Sequence, residues 1–341
     1  MGMNPTTNRN VPVIAVDTGN KLMKTPHFIF SAGLSSHGEH EPASIEPVEF
    51  LRRDRTYYTV SEQHISNVPD KTKDEQYVNL TLIAIAKELL LNDITPDYDG
   101  VVRTHIVLCL GLPINHYDKY RRNYTSFYKG RQFVFSYRPE GTKRITKFDI
   151  VADRVYVFPQ GFAACQSSKE IMRMTRDGIC NVIDIGGYTT DIVQLENGRP
   201  VMSDTISPTL NSVGFNNLVA KINRSIEAKT EARLRDSQID QIIRSCGQDC
   251  GRVYKPVVDE VLRITREYAR DIVGRLVEEG VRFQFESIVF VGGGALCLKP
   301  FIEEAIHARF GSNASVKFVT ELRANAIGYY VLGCSMEQQR S

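Results

Sequence analysis

The sequence has no charge imbalance to speak of. Its 42 basic and 40 acidic residues leave a formal net charge of +2 over 341 residues. A surface so nearly balanced has no whole-molecule attraction to nucleic acid or membrane, so any DNA partnership must be local, indirect or made through assembly. Long apolar runs are missing as well. None could span a bilayer, and the opening MGMNPTTNRN lacks the apolar core of a secretion signal. Acylation at Gly2 is formally allowed, but the context does not turn a polar leader into an anchor. Cysteine is sparse and odd in number, at seven. Cys246 and Cys250 form the one close pair, and no second pair completes a zinc set. A chain of this size needs no staples, so the thiols are expected reduced, on helix surfaces or in the core, in a cytoplasmic protein. Two phosphate-binding fingerprints are also absent, GxGxxG after the first strand and GxxxxGK[ST].

What is present is a globular composition, 42% hydrophobic and 24% charged, on a chain long enough for two domains. The central stretch is NVIDIGGYTTDIVQL, Asn181 to Leu195. An apolar run ends in Asp184, passes through Gly186 and Gly187, and returns to Asp191 before a second apolar run. Such a pattern predicts a β-hairpin whose glycines let backbone N–H groups come close to an anion. Bringing two carboxylates together is costly unless a cation sits with them, which suggests a metal-phosphate complex, most simply Mg²⁺-nucleotide. An ordinary tight hairpin remains the alternative. The motif has a partner early in the chain, where the expected strand Val11–Val16 runs into Asp17-Thr18-Gly19-Asn20, followed by Lys21 and Lys24.

Along the rest of the chain, strands are expected at Phe28–Phe30, Thr56–Val60, His105–Leu110, Phe133–Tyr137, Ile145–Phe158, Val201–Ile206, Ser287–Val291 and Val316–Val319, with a loop over Leu34–Pro47. Helices are expected at Asn79–Leu91, at Phe162 to about Met174, from Gly214 to about Lys229, from Asp236 to about Cys246, from Pro256 to about Glu279 and over Lys299–Phe310. A terminal helix opens near Arg323. The segment from Asn115 to Lys129 mixes Lys119, Arg121, Arg122 and Lys129 with five aromatic residues. It suits a mobile flap or a protein interface better than stacking on nucleic acid bases. Gly292, Gly293 and Gly294 follow a buried strand, as a nucleotide-binding bend or a crowded turn would require.

Taken in order, these motifs resemble the actin-like ATPase superfamily, and within it the bacterial plasmid-segregation actins of the ParM/StbA type. The resemblance covers nearly the whole chain. Asp17–Asn20 with Lys24 is similar to the first phosphate loop, and Gly111-Leu112-Pro113 to the GLP segment. Pro159-Gln160 resembles the first connecting segment, and Asp184–Asp191 the second phosphate loop. Val291–Ala295 resembles the adenosine motif, and Ala324–Gly328 the second connecting segment. The resemblance implies an α/β, actin-like fold: two ribonuclease-H-like domains flanking a nucleotide cleft. The first would hold 11–175 and take back the C-terminal helix 321–341. The second would hold 176–320, with a helical insert at about 215–255.

The same resemblance implies site roles. Asp17 and Asp184 would hold Mg²⁺ through water. Thr18, Gly19 and Asn20 would face the phosphates, with Lys21 or Lys24 neutralising them. Gly186, Gly187, Tyr188 and Thr189 would form the facing cradle, while Gly214, Gly292, Gly293, Gly294, Ala295 and Asn325 would border the nucleoside. Gln160 would orient an attacking water. Glutamine is no strong base, which implies a slow ATPase coupled to polymerisation. The nucleotide is ATP, or GTP, because the 214–229 region carries no purine motif. The implied partners are further copies of the chain in a filament and a DNA-binding adaptor at a plasmid centromere, with no direct sequence-specific DNA contact and no membrane. A sugar or small-metabolite kinase of the same superfamily, or a scaffold filament, are the competing functions. The kinase would need an acidic base that Gln160 does not supply.

Overall fold

The computed structural model describes residues 11–62, 68, 70–92, 94–176, 178–203 and 206–340. The leader through Asn10, Asp93 and residues 204–205 of the expected strand at Val201–Ile206 lie outside them. Contacts divide the chain into two compact units. One contains the residues up to Leu112, His116–Phe158 and the chain from Tyr329. The other contains Pro113–Asn115 and Pro159–Gly328.

The first unit is built on β1 (Val13–Thr18), β2 (Leu22–Lys24), β3 (Ile29–Ser31), β4 (Gly33–Ser36), β5 (Phe50–Arg53) and β6 (Thr56–Ser61). Helix α1 (Glu75–Leu91), β7 (Val101–Leu112), α2 (Ile114–Tyr128), β8 (Gln132–Arg138) and β9 (Thr146–Pro159) follow. The nine strands form one sheet in the order β3-β2-β1-β7-β9-β8-β5-β6-β4. β1 and β7 are parallel, with Val13 opposite Val107 and Val16 opposite Leu110. Both carry unbroken apolar runs, as strands covered on two faces must. α1 is buried almost all round from Tyr77 to Leu89, and its start is fixed by Asp74, whose side chain accepts from the Gln76 N–H at 2.9 Å. The 115–129 segment is α2. Its aromatic residues recur at helical spacing, and Tyr124 and Tyr128 are buried in the core with Tyr117, Tyr120 and Phe127 packed beside them. The stripe that suggested a flap or interface is therefore the inner face of a packed helix.

The second unit contains α3 (Phe162–Cys165), α4 (Lys169–Met174), β10 (Ile179–Ile185), β11 (Thr189–Glu196), β12 (Arg199–Pro200), β13 (Thr209–Asn211), α5 (Phe215–Thr230), α6 (Asp236–Arg244) and α7 (Lys255–Glu278). It continues with β14 (Ser287–Val291), α8 (Gly293–Phe310), β15 (Ser315–Phe318) and the start of α9 (Ala324–Gln338). Its sheet runs β12-β11-β10-β14-β15, with β13 also paired to β11. β10 and β14 are parallel, with Asp184 opposite Val291. Helices α5 to α8 close over one face through a large cluster that includes Ile222, Val261, Leu276 and Phe301, while Ala164, Cys165 and Ile171 pack with Val182 and Val193 in another.

Five readings are corrected. The helix expected over Phe162–Met174 is broken at Gln166–Ser168. Ser167 Oγ donates to the Ala164 carbonyl at 2.7 Å, and Ser168 is extended ahead of α4. The glycine triplet is not a three-residue bend: Gly292 alone has positive φ, at +93°, and α8 already begins at Gly293. Residues 201–203 are not strand, and Gly33–Ser36 pairs with β6 where a loop was expected. Finally, the contact boundary falls at Phe158/Pro159 rather than near 175, because α3 and α4 bury Ala164, Cys165 and Ile171 against the second sheet, and α9 joins the first unit only from Tyr329.

Candidate functional site

Each unit places one aspartate-glycine hairpin at the end of a buried strand, β1 in the first and β10 in the second. In the first, β1 and β2 pair with Asp17 opposite Lys24, and the two side chains form an ion pair at 3.3 Å. Asp17 and Thr18 are buried, Lys24 is half-buried and Lys21 is exposed. The Gly19 N–H donates to the Asp17 carbonyl at 3.0 Å, and a Cβ on Gly19 would collide with the Leu22 carbonyl, so the tight turn itself requires glycine here. The turn also holds a residue that carries no motif, Lys71, from the polar run Asp70-Lys71-Thr72-Lys73-Asp74. Its ammonium donates to the Thr18 carbonyl and lies 4.5 Å over the Tyr77 ring, whose hydroxyl donates to Asn20 Oδ1 at 3.1 Å. Desolvation brings its pKa down to about 8, opposed by the nearby Asp17 and aided by Lys24. No pattern in the sequence would have singled it out. Its alternating charges read as a solvated loop.

In the second unit the tip between β10 and β11 is closed by the Gly186 N–H donating to the Thr189 carbonyl at 2.9 Å. The N-terminus of α5 is bonded to the same tip: Phe215 N–H donates to Gly186 O at 3.0 Å and Asn216 N–H to Gly187 O at 2.7 Å. Gly214 is buried against this turn, and a Cβ there would come 2.5 Å from the Gly187 carbonyl. Its immediate role is close backbone approach. Tyr268 adds a hydroxyl bond to the Gly214 carbonyl at 2.9 Å. Among the described residues, no backbone acceptor takes the N–H of Gly187 or Tyr188, and the Tyr188 side chain is exposed.

Asp184, Gln160, Asn325 and the triplet are gathered in this same unit. The Asn325 amide donates from Nδ2 to Asp184 Oδ2 at 3.2 Å and accepts at Oδ1 from the Gly161 N–H at 3.0 Å, one residue beyond Gln160. Gly292 passes so close that a Cβ would lie 2.5 Å from Asp184 Oδ1, and one on Gly294 would lie 2.7 Å from Ile185 Cγ2. Gly293 is less crowded and Ala295 is buried. Opposite Asp184 in the ladder, Asp191 is buried and accepts from Thr209 Oγ1 at 2.5 Å. Burial pushes its pKa up to about 7; the Thr209 bond opposes the rise and Asp184 adds to it.

Each set, taken by itself, puts a carboxylate beside glycine backbone, groups whose chemistry suits a hard cation and an anion. The first hairpin offers Asp17 and the second Asp184, with the buried Asp191 opposite it, and no group of three or more His, Cys, Asp or Glu gathers among the described residues. Mg²⁺ is commonly held in this way, by one or two carboxylates while phosphate oxygens and water complete its shell. The residues present fit such a group.

The fold defined by these units is the actin-like fold, α/β with mixed sheets flanked by helices. A family model described as archaeal actin homologue MreB-like, C-terminal, matches residues 182–304, and one described as actin-like proteins N-terminal domain matches 34–162. Among solved structures, the actin-like protein Alp7A is similar over 97% of both chains at 14% identity, with a TM-score of 0.75. A 15-stranded ParM filament from Clostridium botulinum is similar over 96% of this chain and 99% of that one, at 21% identity and a TM-score of 0.69. The archaeal actin homologue Ta0583 in complex with ADP is similar over 97% and 100%, at 17% identity and a TM-score of 0.68. No curated protein matched the sequence significantly.

Proposed function

We propose that this protein binds a nucleoside triphosphate with Mg²⁺, ATP or GTP, hydrolyses it slowly, and assembles with copies of itself into filaments that segregate plasmid DNA through a DNA-binding adaptor. The observation that carries the reading is the Asp184 hairpin with its support. One amide, Asn325, ties the carboxylate to the backbone beside Gln160, and Gly292 and Gly294 allow the next strand end to pack against it. The repetition of an aspartate-glycine hairpin in the other unit strengthens it. The similar structures described as filaments and as an ADP complex support the same reading.

In this reading Asp17 and Asp184 are the carboxylates that would hold the metal, through water. When bound, the metal neutralises phosphate charge. Gly19, Asn20, Gly187, Tyr188 and Thr189 face the phosphates, and Gln160 holds the attacking water by hydrogen bonds. An amide cannot carry the water's proton as a carboxylate can, so the turnover is that of a timer. Differential affinity of the nucleotide for the assembly-competent conformation supplies the coupling to polymerisation.

Sedimentation of the purified protein tests this directly. It is expected to pellet with Mg²⁺ and ATP, GTP or a slowly hydrolysed analogue, and to stay in the supernatant with EDTA. No pellet with any of these across salt and protein concentrations would overturn the filament reading. A phosphorylated sugar formed without assembly would replace it with a kinase.

A further inference from the structure

We propose that Lys71, rather than Lys21 or Lys24, is the cation that receives the terminal phosphate of the bound nucleotide. The inference rests on the nucleotide reading above and assigns the charge within it.

Three lysines belong to the first hairpin or lie against it. Lys24 is already neutralised by Asp17 at 3.3 Å. Lys21 is exposed, and a charge contact made at the surface is screened by water. Lys71 differs from both. Its ammonium rests on the Thr18 carbonyl and the face of the buried Tyr77, and it forms no ion pair with a carboxylate among the described residues. Asp70, its neighbour in sequence, is turned away: it accepts from Thr72 Oγ1 at 2.6 Å and Asn123 Nδ2 at 3.3 Å, with Lys73 at 4.0 Å. The backbone N–H of Lys71 is anchored on the Tyr124 hydroxyl at 3.2 Å, which fixes where the side chain starts.

A half-buried ammonium whose hydrogen-bond partner is a neutral carbonyl, with only the Asp17 charge nearby to offset it, is held at a cost that an arriving anion reduces. Thr18 and Gly19 are the turn that would face phosphate, so the cation already stands at the place where that charge arrives. An ammonium has three donors, and the Thr18 carbonyl and ring face do not exhaust them. Tyr77, which bonds Asn20 at the other side of the turn, fixes the lysine and the turn together. The chemical consequence is discrimination by phosphate number: a triphosphate gains the contact and a monophosphate does not reach it.

The test compares affinities of wild type, Lys71→Met and Lys71→Arg for ATP, ADP and AMP with Mg²⁺, by calorimetry, using the GTP series if GTP binds tighter. Methionine keeps the buried stem and removes the charge. Lys71→Met is expected to lose ATP affinity by about 10- to 100-fold, the scale of one charge-assisted contact, with AMP affinity changed less than threefold. Lys71→Arg is expected to recover part of the loss. An equal loss for ATP and AMP, or no loss at all in a variant whose nucleotide-free melting curve is native, overturns the assignment. Wild type that binds none of the nucleotides overturns the underlying reading and this inference with it, whereas tight wild-type binding unchanged in Lys71→Met removes the inference alone.

Discussion

Gln160 and Asp184 are joined through Asn325 and the Gly161 backbone, yet removing each has a different consequence. Gln160→Ala is expected to slow hydrolysis at saturating nucleotide by roughly 10²-fold while leaving affinity within a few fold, because a group that orients water acts mainly in the transition state. Asp184→Ala is expected instead to weaken Mg²⁺-dependent binding, by about 10-fold or more for a lost charge-assisted ligand. An isotherm for Asp184→Ala that matches wild type with and without EDTA would remove the aspartate from the metal. Asp191 adds a pH signature to the nucleotide-free protein. With its folded pKa raised by burial to about 7, it keeps a proton in the folded chain over a range where the unfolded chain has lost it. Its contribution is therefore complete below the ordinary carboxylate range, declines as pH rises, and is gone once pH passes about 7. Urea unfolding in EDTA should show wild type losing on the order of 2–4 kcal/mol more than Asp191→Asn between pH 4 and pH 8. Parallel pH profiles for the two proteins would mean that Asp191 ionises as freely in the fold as outside it. At this scale the sequence displayed the carboxylates and glycines, because turn chemistry is local. It did not display Lys71, whose position depends on where α1 brings a polar run back to β1.

Elements with strong periodicity or punctuation are legible in the sequence. The β10–β11 hairpin, α5, α7 and the start of α9 all lie close to where apolar spacing, Gly214, Pro256 and the small residues after Arg323 put them. Those that depended on tertiary partners were not: β4 is a strand because β6 lies beside it, and α2 shows its aromatic face inward because a sheet lies beneath. Small residues in helices carry a steric meaning that only the packed structure reveals. A Cβ at Gly328 in α9 would land on the carbonyl of Ala163 in α3. Gly328→Ala, which raises helix propensity in isolation, should nevertheless destabilise the protein by about 2–4 kcal/mol, the range for an overpacked contact with backbone that cannot yield. A melting temperature equal to or above wild type would show that α3 shifts without cost. Gly280→Ala is the useful contrast, since nothing lies within 4 Å of its Cβ, although its φ of +90° still carries backbone strain.

For the whole molecule, the boundary at Phe158 was not legible in the sequence, since it is set by which sheet α3 and α4 cover. Thiol exposure offers a global test. Cys109, Cys165, Cys180 and Cys297 are buried, Cys250 and Cys334 are intermediate, and Cys246 is exposed. Burial raises the pKa of Cys180 to about 12 and holds Cys109 and Cys165 well above the ordinary thiol range, so these sulfurs stay protonated as well as hidden. A charged thiol reagent should label Cys246 first in the folded protein, leave the four buried sulfurs untouched for as long as the chain stays folded, and reach all seven in denaturant. Early labelling of Cys165 or Cys180, read by peptide mass, would show that the sheet of the second unit opens far more readily than its packing suggests.

The Asn325 amide has a further consequence, for how the protein ages. Its two ends face opposite demands, a carboxylate on one side and a backbone donor on the other, so only one orientation of the group satisfies both. Deamidation would leave nearly the same shape with the wrong polarity, setting acid against acid. A stored preparation is then expected to keep its circular dichroism spectrum while the contacts around Asp184 are lost, and intact-mass analysis would be the first measurement to notice.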